Sequence, residues 1–228
     1  MNALLSADGI VKSFGPTRVL SGIALSIAPG EPVGLFGPNG SGKTTLVNIL
    51  SGLLLPDAGT VRFDGREITR LPLDARYRLG IARTFQIPHP YPALTVREAV
   101  RVALNAGRRK EEGGTREDEE GPAEDLLART GLFNQRFVPC ARLSQGCLRR
   151  LEFARGVACR PKLLILDEVF SSLSAADEED LAALLRSVNR DEGTAFLLVS
   201  HNPPLLKNLC RRILVLEEGR IVRERTVG

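Results

Sequence analysis

The chain has 228 residues, of which 43% are hydrophobic and 25% are charged, a composition typical of globular proteins and not of disordered ones. At roughly 150 residues per domain, this length predicts one compact unit with room for a subdomain. The formal net charge is only +4, aromatic residues make up 5% and tryptophan is absent, which argues against a base-stacking surface. We therefore expect no nucleic-acid partner.

Compartment and redox state are also constrained by composition. The longest apolar runs fall well short of the ~18 residues of a membrane span. The amino-terminal segment, residues 1–9, carries Asp8 and lacks the basic-then-apolar order of a secretory signal, so we expect a protein kept inside the cell. No C-x-x-C pair is present, and we expect reduced, mostly buried thiols at Cys140, Cys147, Cys159 and Cys210.

The first third of the chain is rich in predicted strands. Residues 4–12 and 19–28 are apolar with partial alternation, and 32–36 form a short apolar run typical of a buried strand. Apolar residues at helical spacing follow over 43–54, and alternation over 59–64 predicts a further strand.

The remainder of the chain changes character twice. Helices are predicted over 96–106 and 123–131, separated at 107–121 by a charged, glycine-rich segment that we interpret as a solvated loop, with a docking tail as the alternative. The last third alternates: helix 146–158, strand 163–166, helix 175–189, strand 194–200, helix 204–209, strand 213–216. This alternation predicts βαβ units and a mostly parallel sheet.

The strongest chemical motif is a phosphate-binding loop. The segment from Gly37 to Thr44 matches G-x-x-x-x-G-K-[ST] in full, between a predicted strand and a predicted helix. Such a loop turns its N–H groups toward phosphate, Lys43 neutralises β/γ-phosphate charge and the Thr44 hydroxyl coordinates Mg²⁺. We therefore expect nucleoside triphosphate contacts from Gly37, Pro38, Asn39, Gly40, Ser41, Gly42, Lys43, Thr44 and Thr45. A glycine-rich turn without a ligand is the alternative.

Two adjacent carboxylates end the apolar strand that begins at Leu163. Asp167 is placed to hold Mg²⁺, usually through a water, and Glu168 to polarise the water that attacks the γ-phosphate. A solvated turn is the alternative, which the presence of Lys43 and Thr44 in the same chain makes less attractive.

The segment Leu143-Ser144-Gln145-Gly146-Cys147 opens a predicted helix about 20 residues before Asp167. At this point the chain resembles the ATP-binding-cassette (ABC) ATPases over residues 4–225, with the elements in the family's order. This segment resembles the family's LSGGQ signature. By the same resemblance Phe14 corresponds to the aromatic that stacks on adenine, Gln86 to the Q-loop glutamine, His201 to the switch histidine and Ser174 to a D-loop position.

The resemblance implies an α/β fold: a P-loop NTPase (RecA-like) core with a mostly parallel sheet, an N-terminal antiparallel β subdomain and an inserted α-helical subdomain. It implies a single ABC ATPase domain over 1–228, with core and β subdomain in 1–86 and 161–228 and the helical subdomain in 87–160. ATP and Mg²⁺ are the implied cofactors, the metal held by Thr44, Gln86 and Asp167, and Glu168, His201 and Gln86 are the implied catalytic residues.

A mechanism that needs two chains is also implied. The signature residues Ser144, Gln145, Gly146 and Cys147 would cap ATP held by the P-loop of a second ABC ATPase subunit, identical or different. Hydrolysis would then release the closed dimer. The helical subdomain would receive transmembrane permease subunits at the cytoplasmic face of the membrane, and a solute-binding protein would act indirectly.

A narrower resemblance lies in 80–86 and 94–98, which look like the ATPases of branched-chain amino-acid importers. Urea and amide importers share that local pattern. Ribosome-acting and DNA-repair ABC proteins stay open as alternatives, although they carry a second cassette or a long coiled-coil insertion. A P-loop small-molecule kinase and a non-catalytic nucleotide sensor also stay open.

Three positions depart from the family pattern. Gln145 replaces a glycine, Cys147 replaces the signature glutamine with a poorer hydrogen-bonding group, and Ser174 stands where the family prefers Asp. We expect an asymmetric heterodimer in which the site that uses this signature segment is impaired, or a partly degenerate regulatory subunit. Neutral drift in a working homodimer is the alternative.

Overall fold

The structure is a computed structural model that describes residues 3–84, 91–107, 120–171 and 173–227. The strands are β1 (Leu5–Phe14), β2 (Thr17–Ile27), β3 (Pro32–Phe36), β4 (Ala58–Phe63), β5 (Arg66–Glu67), β6 (Ile81–Arg83), β7 (Leu163–Asp167), β8 (Ala195–Val199), β9 (Arg212–Glu217) and β10 (Arg220–Thr226). The α-helices are α1 (Lys43–Ser51), α2 (Leu73–Leu79), α3 (Val96–Gly107), α4 (Glu120–Arg129), α5 (Gln145–Ala158), α6 (Ala175–Glu192) and α7 (Pro203–Leu209). Short 3₁₀ turns lie at Phe133–Gln135 and Cys140–Arg142.

A six-stranded sheet forms the core, in the order β10-β9-β3-β8-β7-β6. The neighbours from β9 to β6 are parallel and β10 is antiparallel at one edge. Every residue of β7 and β8 is buried, which is the pattern of strands covered on both faces. The predicted mostly parallel sheet is confirmed. Its carboxyl edge carries the P-loop after β3 and the two carboxylates at the end of β7, because parallel strands end on the same side.

A second sheet, antiparallel in the order β2-β1-β4-β5, confirms the predicted N-terminal β subdomain. An apolar layer joins this sheet to α1 and to one set of core-strand side chains, with Leu5, Ile10, Leu46, Ile49 and Leu197 fully buried. The P-loop helix is thereby fixed between the two sheets.

The helical part of the chain has its own share of the core. Val100 of α3, Leu127 of α4 and Phe153 of α5 belong to one buried cluster that continues onto the core sheet. The predicted α-helical subdomain is thus present. Its exact bounds at 87–160 stay a prediction, and residues 85–90 lie outside the described part of the chain.

Several boundaries differ from the sequence prediction. Helix α1 ends at Ser51 instead of residue 54, because Gly52 adopts a left-handed φ of 86° and its N–H bonds to the carbonyls of Asn48 and Ile49. Helix α4 begins at Glu120, within the segment predicted as a loop, most of which lies outside the described residues. Elements α2, β5, β6 and β10 were not predicted. Within the described ranges, no helix is both long and apolar enough to cross a bilayer.

Candidate functional site

The loop between β3 and α1 is shaped by its glycines. Gly40 and Gly42 have left-handed φ values of 79° and 104°. A Cβ on Gly37 would lie 2.3 Å from the carbonyl oxygen of Leu216 and 2.7 Å from Ser41 Oγ, so no side chain fits there. Gly42 is the N-cap of α1 and supplies no side-chain cap, which leaves the helix N–H groups facing the loop.

Two polar side chains of this loop suit an anionic ligand. Lys43 is 9% exposed and its Nζ donates to the carbonyls of Gly37 at 2.7 Å and Pro38 at 2.9 Å, which closes the loop and leaves a third proton for a ligand. Ser41 Oγ is buried, and in the described part of the chain it has no hydrogen-bond partner. An orphaned buried hydroxyl just before a helix N-terminus fits a bound phosphate.

The end of β7 places the two carboxylates differently. Asp167 is 2% exposed in the strand, whereas Glu168 turns out of it with a left-handed φ of 51°. This backbone is strained for a residue with a side chain and is held by the Glu168 N–H bond to Val199 O at 3.1 Å. Glu168 Oε2 then lies 3.1 Å from His201 Nδ1, and the Ser171 hydroxyl donates to Glu168 O at 2.7 Å.

A buried arginine contacts the first of these carboxylates. Arg83 Nη2 donates to Asp167 Oδ2 at 3.1 Å, and Nη1 donates to Asn48 Oδ1 at 2.6 Å and Ser51 Oγ at 3.1 Å. Burial lowers the pKa of Arg83, and the charge of Asp167 opposes that shift. Arg83 lies within residues 80–86, whose resemblance to the family assigns it no role.

These elements surround one cleft of about 540 Å³. It is lined by Val19, Asn39, Gly40, Gly42, Lys43, Thr44, Thr45, Asp167, Glu168, Ser171 and His201. The structure therefore brings together the P-loop, Asp167, Glu168 and His201, and their individual roles stay predictions. Val19 and Ser171 were missed, since neither carries a recognisable motif. Gln86 lies outside the described residues, so its place in the site stays a prediction.

Phe14 does not line the cleft. It ends β1 with 51% of its surface exposed, and Lys12 Nζ lies 5.7 Å from the ring centroid. Asp57 holds Lys12 through a 2.7 Å ion pair and accepts from the Ser13 N–H at 2.6 Å. The ring is thus exposed at the end of its strand, and its stacking on adenine stays a prediction.

The signature segment also lies away from the cleft lining. Ser144 is the N-cap of α5 and its Oγ accepts from the Cys147 N–H at 3.3 Å, while Cys147 is half-buried against the helical part of the core. In the first turn of α5, Gln145 is exposed and Gly146 is half-buried.

The D-loop position is joined to the signature helix through one carboxylate. Ser174 caps α6, accepting from the Asp177 N–H at 3.2 Å and donating to Asp177 Oδ2 at 2.7 Å. Arg150 of α5 donates to the other oxygen of Asp177 at 2.8 Å. Both partners lower the pKa of Asp177. Serine thus fills the capping role that aspartate also fills well, so this departure leaves the local fold intact.

A second cavity of about 660 Å³ lies between the core and the helical part. Its walls are mainly apolar and include Tyr77 and Ile81 on the core side and Val102 and Ala103 of α3. Arg83 lines it too. We call this cavity the groove.

Comparison with known proteins identifies the family. Residues 20–171 match the model of the ABC transporter family. The chain is 37% identical to lipoprotein-releasing system ATP-binding protein LolD 1 of Caulobacter vibrioides, over 97% of this chain and 95% of that one. It is 36% identical to methionine import ATP-binding protein MetN of Mesorhizobium japonicum, over 93% of this chain and only 58% of that one.

Solved structures of ATP-binding cassettes agree with this family assignment. The dimeric post-hydrolysis structure of the ATP-binding cassette MJ0796, bound to ADP and Pi, superposes with a TM-score of 0.89 at 26% identity, covering 98% of this chain and 99% of that one. The ADP conformation of MJ1267, an ATP-binding cassette of an ABC transporter, gives 0.87 at 28% identity, covering 99% and 92%. The family match and the superposition leave one conclusion: the chain belongs to the ABC transporter family, as a cassette that binds ATP and Mg²⁺ and hydrolyses ATP.

Proposed function

We propose that this chain is the ATPase subunit of an ABC importer that couples closure of a cassette dimer and ATP hydrolysis to the uptake of a branched-chain amino acid. The observation that carries the ATPase part is the single cleft that joins Lys43 and Thr44 to Asp167, Glu168 and His201. The solute is supported by the local pattern in 80–86 and 94–98, and methionine, which a relative imports, is also an amino acid.

Each side chain of the cleft has a role in this proposal. Bound MgATP supplies the phosphoryl group and its metal. Lys43 and the loop N–H groups bind the β- and γ-phosphates, and Thr44 and Asp167 hold the metal, with Gln86 as a further candidate ligand. Glu168 orients and polarises the attacking water, and His201, one hydrogen bond away, fixes the carboxylate and contacts the γ-phosphate.

The second subunit is needed because the signature segment does not line its own chain's cleft. Ser144 and the first N–H groups of α5 form an exposed helix N-terminus suited to a phosphate. In the proposal they cap the ATP of a partner cassette. The dimeric form of MJ0796, which covers nearly the whole chain, supports this arrangement.

The permease subunits would dock in the groove. An apolar cavity between two parts of the fold is suited to an amphipathic helix. This contact would place the chain peripherally at the cytoplasmic face of the membrane, and a solute-binding protein would reach it only through the permease.

Lipoprotein release is the second candidate function. It is favoured by LolD 1, which this chain matches over 95% of that protein's length, whereas it covers 58% of the methionine import protein. Either function allows a heterodimer in which this chain is the partly degenerate partner. The basis for that arrangement is Cys147, which lies on the segment offered to the other subunit.

Hydrolysis is tested by phosphate release from purified chain with Glu168→Gln, and with Glu179→Gln as the matched control. Both variants remove one carboxylate, but Glu179 is an exposed α6 residue paired with Arg186. Loss of a general base costs about 10²–10⁴-fold in rate, so the first variant should be nearly inactive while still binding ATP. Equal rates for the two variants would contradict the assignment of Glu168, and a phosphorylated acceptor in place of free phosphate would indicate a kinase.

The solute is tested by purifying the tagged chain from native membranes and identifying the bound polypeptides. The importer proposal expects a separate permease, and transport of labelled leucine into vesicles that contain the complex. Release of lipoprotein from such vesicles, without leucine uptake, would favour the second candidate instead. Recovery of a different cassette would favour the heterodimer.

A further inference from the structure

Arg83 is a buried cation on β6 whose side chain hydrogen-bonds to two other elements of the nucleotide site, β7 and α1. It ends β6, three residues before Gln86, and its side chain is 5% exposed. One nitrogen of its guanidinium bonds to Asp167 on β7, and the other bonds to Asn48 and Ser51 on α1, the helix that begins at the P-loop. The strand, the helix and the carboxylate are therefore held by one side chain.

The fork of the guanidinium matters for this arrangement. Nη2 bonds to the carboxylate at 3.1 Å while Nη1 reaches the amide oxygen of Asn48 at 2.6 Å. Two planar donors at a fixed angle set the distance between Asp167 and α1, and the single ammonium of a lysine cannot fill both positions. A methionine fills similar volume without donating at all.

Burial makes the pair costly to disturb. The Arg83 side chain is 5% exposed and that of Asp167 is 2% exposed, so neither charge is well solvated. Removing one member of such a pair leaves the other charge buried and uncompensated. The orientation of the Asp167 carboxylate, which also lines the cleft, thus depends on Arg83.

We propose that Arg83 is a positioning residue for the Mg²⁺ site: it fixes the Asp167 carboxylate relative to α1, the helix that begins at the P-loop, so that Thr44 and Asp167 can hold one metal ion together. This inference rests on the proposed roles of Thr44 and Asp167. Outer-shell partners of metal ligands typically contribute 10–100-fold to metal affinity or activity, and that range sets the expected effect.

The test measures the binding of AMP-PNP by calorimetry, once in EDTA and once with MgCl₂, for the wild type, Arg83→Met and Arg83→Lys. The metal-dependent gain in affinity should fall about tenfold or more in Arg83→Met, whereas affinity in EDTA should change less than about twofold because Lys43 and the loop are untouched. Arg83→Lys should lie between the two. Mn²⁺ titration followed by electron paramagnetic resonance should give the same order of metal affinity.

Two controls separate positioning from general damage. Arg78→Met removes an exposed arginine that also lines the groove but pairs with Asp74, and it should match the wild type. If Arg83→Met fails to fold, Asn48→Ala decides the question. It removes the nearer of the two Nη1 acceptors on α1 and leaves the ion pair with Asp167 in place, so it should reduce the metal-dependent gain.

The outcomes that overturn the inference are specific. A metal-dependent gain in Arg83→Met equal to that of the wild type would refute it, as would an equal loss of affinity with and without metal. Absence of any metal-dependent gain in the wild type would instead refute the proposed function of the cleft.

Discussion

Arg76 allows a prediction with a magnitude worked from the structure. This arginine of α2 is 0% exposed and donates to four backbone carbonyls. Nη1 bonds to Ile49 O and Leu50 O at 2.8 Å each, Nε to Leu71 O at 2.9 Å and Nη2 to Thr69 O at 2.9 Å. It therefore caps the last turn of α1 with a positive charge.

Replacement of Arg76 by methionine should remove all four hydrogen bonds, although Ile49 O keeps the Gly52 N–H as a donor at 3.2 Å. At about 1 kcal/mol for each net hydrogen bond, the loss is about 4 kcal/mol. Burial holds the pKa of Arg76 down to about 10, so removing a poorly solvated cation offsets part of that loss. Since ~1 kcal/mol shifts Tm by 2–4 °C in a domain of this size, a loss of about 4 kcal/mol corresponds to about 8–16 °C, and the offset puts the expected decrease in the lower part of that range.

The assay is thermal unfolding followed by circular dichroism, with Arg78→Met of the same helix as control. Arg78 is exposed and its ion pair with Asp74 is worth little, so the control should stay within about 2 °C of the wild type. AMP-PNP should raise the Tm of Arg76→Met as it does that of the wild type, because Arg76 does not line the cleft. A decrease below about 3 °C in Arg76→Met would refute the reasoning.

Three further predictions concern the loop, the signature and the buried thiols. Gly37→Ala should weaken ATP binding about 100-fold, measured by calorimetry, because the new Cβ would meet Leu216 O at 2.3 Å and displace the loop; Gly121→Ala, with open space, is the control. Cys147→Gln should raise phosphate release by the purified chain about threefold or more if the signature contact is impaired, and equal rates would contradict the asymmetric-site hypothesis. Burial raises the pKa of Cys210 to about 12 from 9.0. As pH rises, the thiol therefore ionises in the unfolded chain before it ionises in the folded one. The stability that the buried, protonated thiol contributes is complete below pH 9 and is lost toward pH 12. Urea unfolding should therefore show the stability of the wild type falling by about 1 kcal/mol relative to Cys210→Ala between pH 9 and pH 10, and parallel curves would exclude it.

The elements that could be predicted from the sequence are those whose pattern matches their burial. The apolar runs at β7 and β8 are buried throughout, and that at β3 is buried except for half-buried Phe36, so a continuous apolar run was a sufficient signal for them. Helix α2 was missed because its buried residue is Arg76, and an arginine becomes a core residue only where distant carbonyls receive it. Strand β10 is mostly exposed and charged, and its strand character comes from pairing with β9.

The candidate site likewise has residues that the sequence could identify and contacts that it could not. The motifs singled out the P-loop, Asp167 and Glu168, and the family resemblance added His201. In the structure they follow buried parallel strands and line one cleft. The contact between Arg83 and Asp167 joins residues 84 positions apart, and a sequence gives no signal for such a pair. The capping role of Ser174 was visible in principle as S-x-x-D at the start of α6.

A single hydrogen-bonded pair of side chains, Arg83 and Asp167, connects the groove to the cleft. Arg83 forms part of the groove wall, and its guanidinium holds Asp167 at the cleft. A membrane partner seated in the groove would press on the same residue that steadies the metal ligand. Mechanical communication between the two surfaces would then need no long relay through the protein interior, and a small sideways movement of the β6 strand would reach both at once.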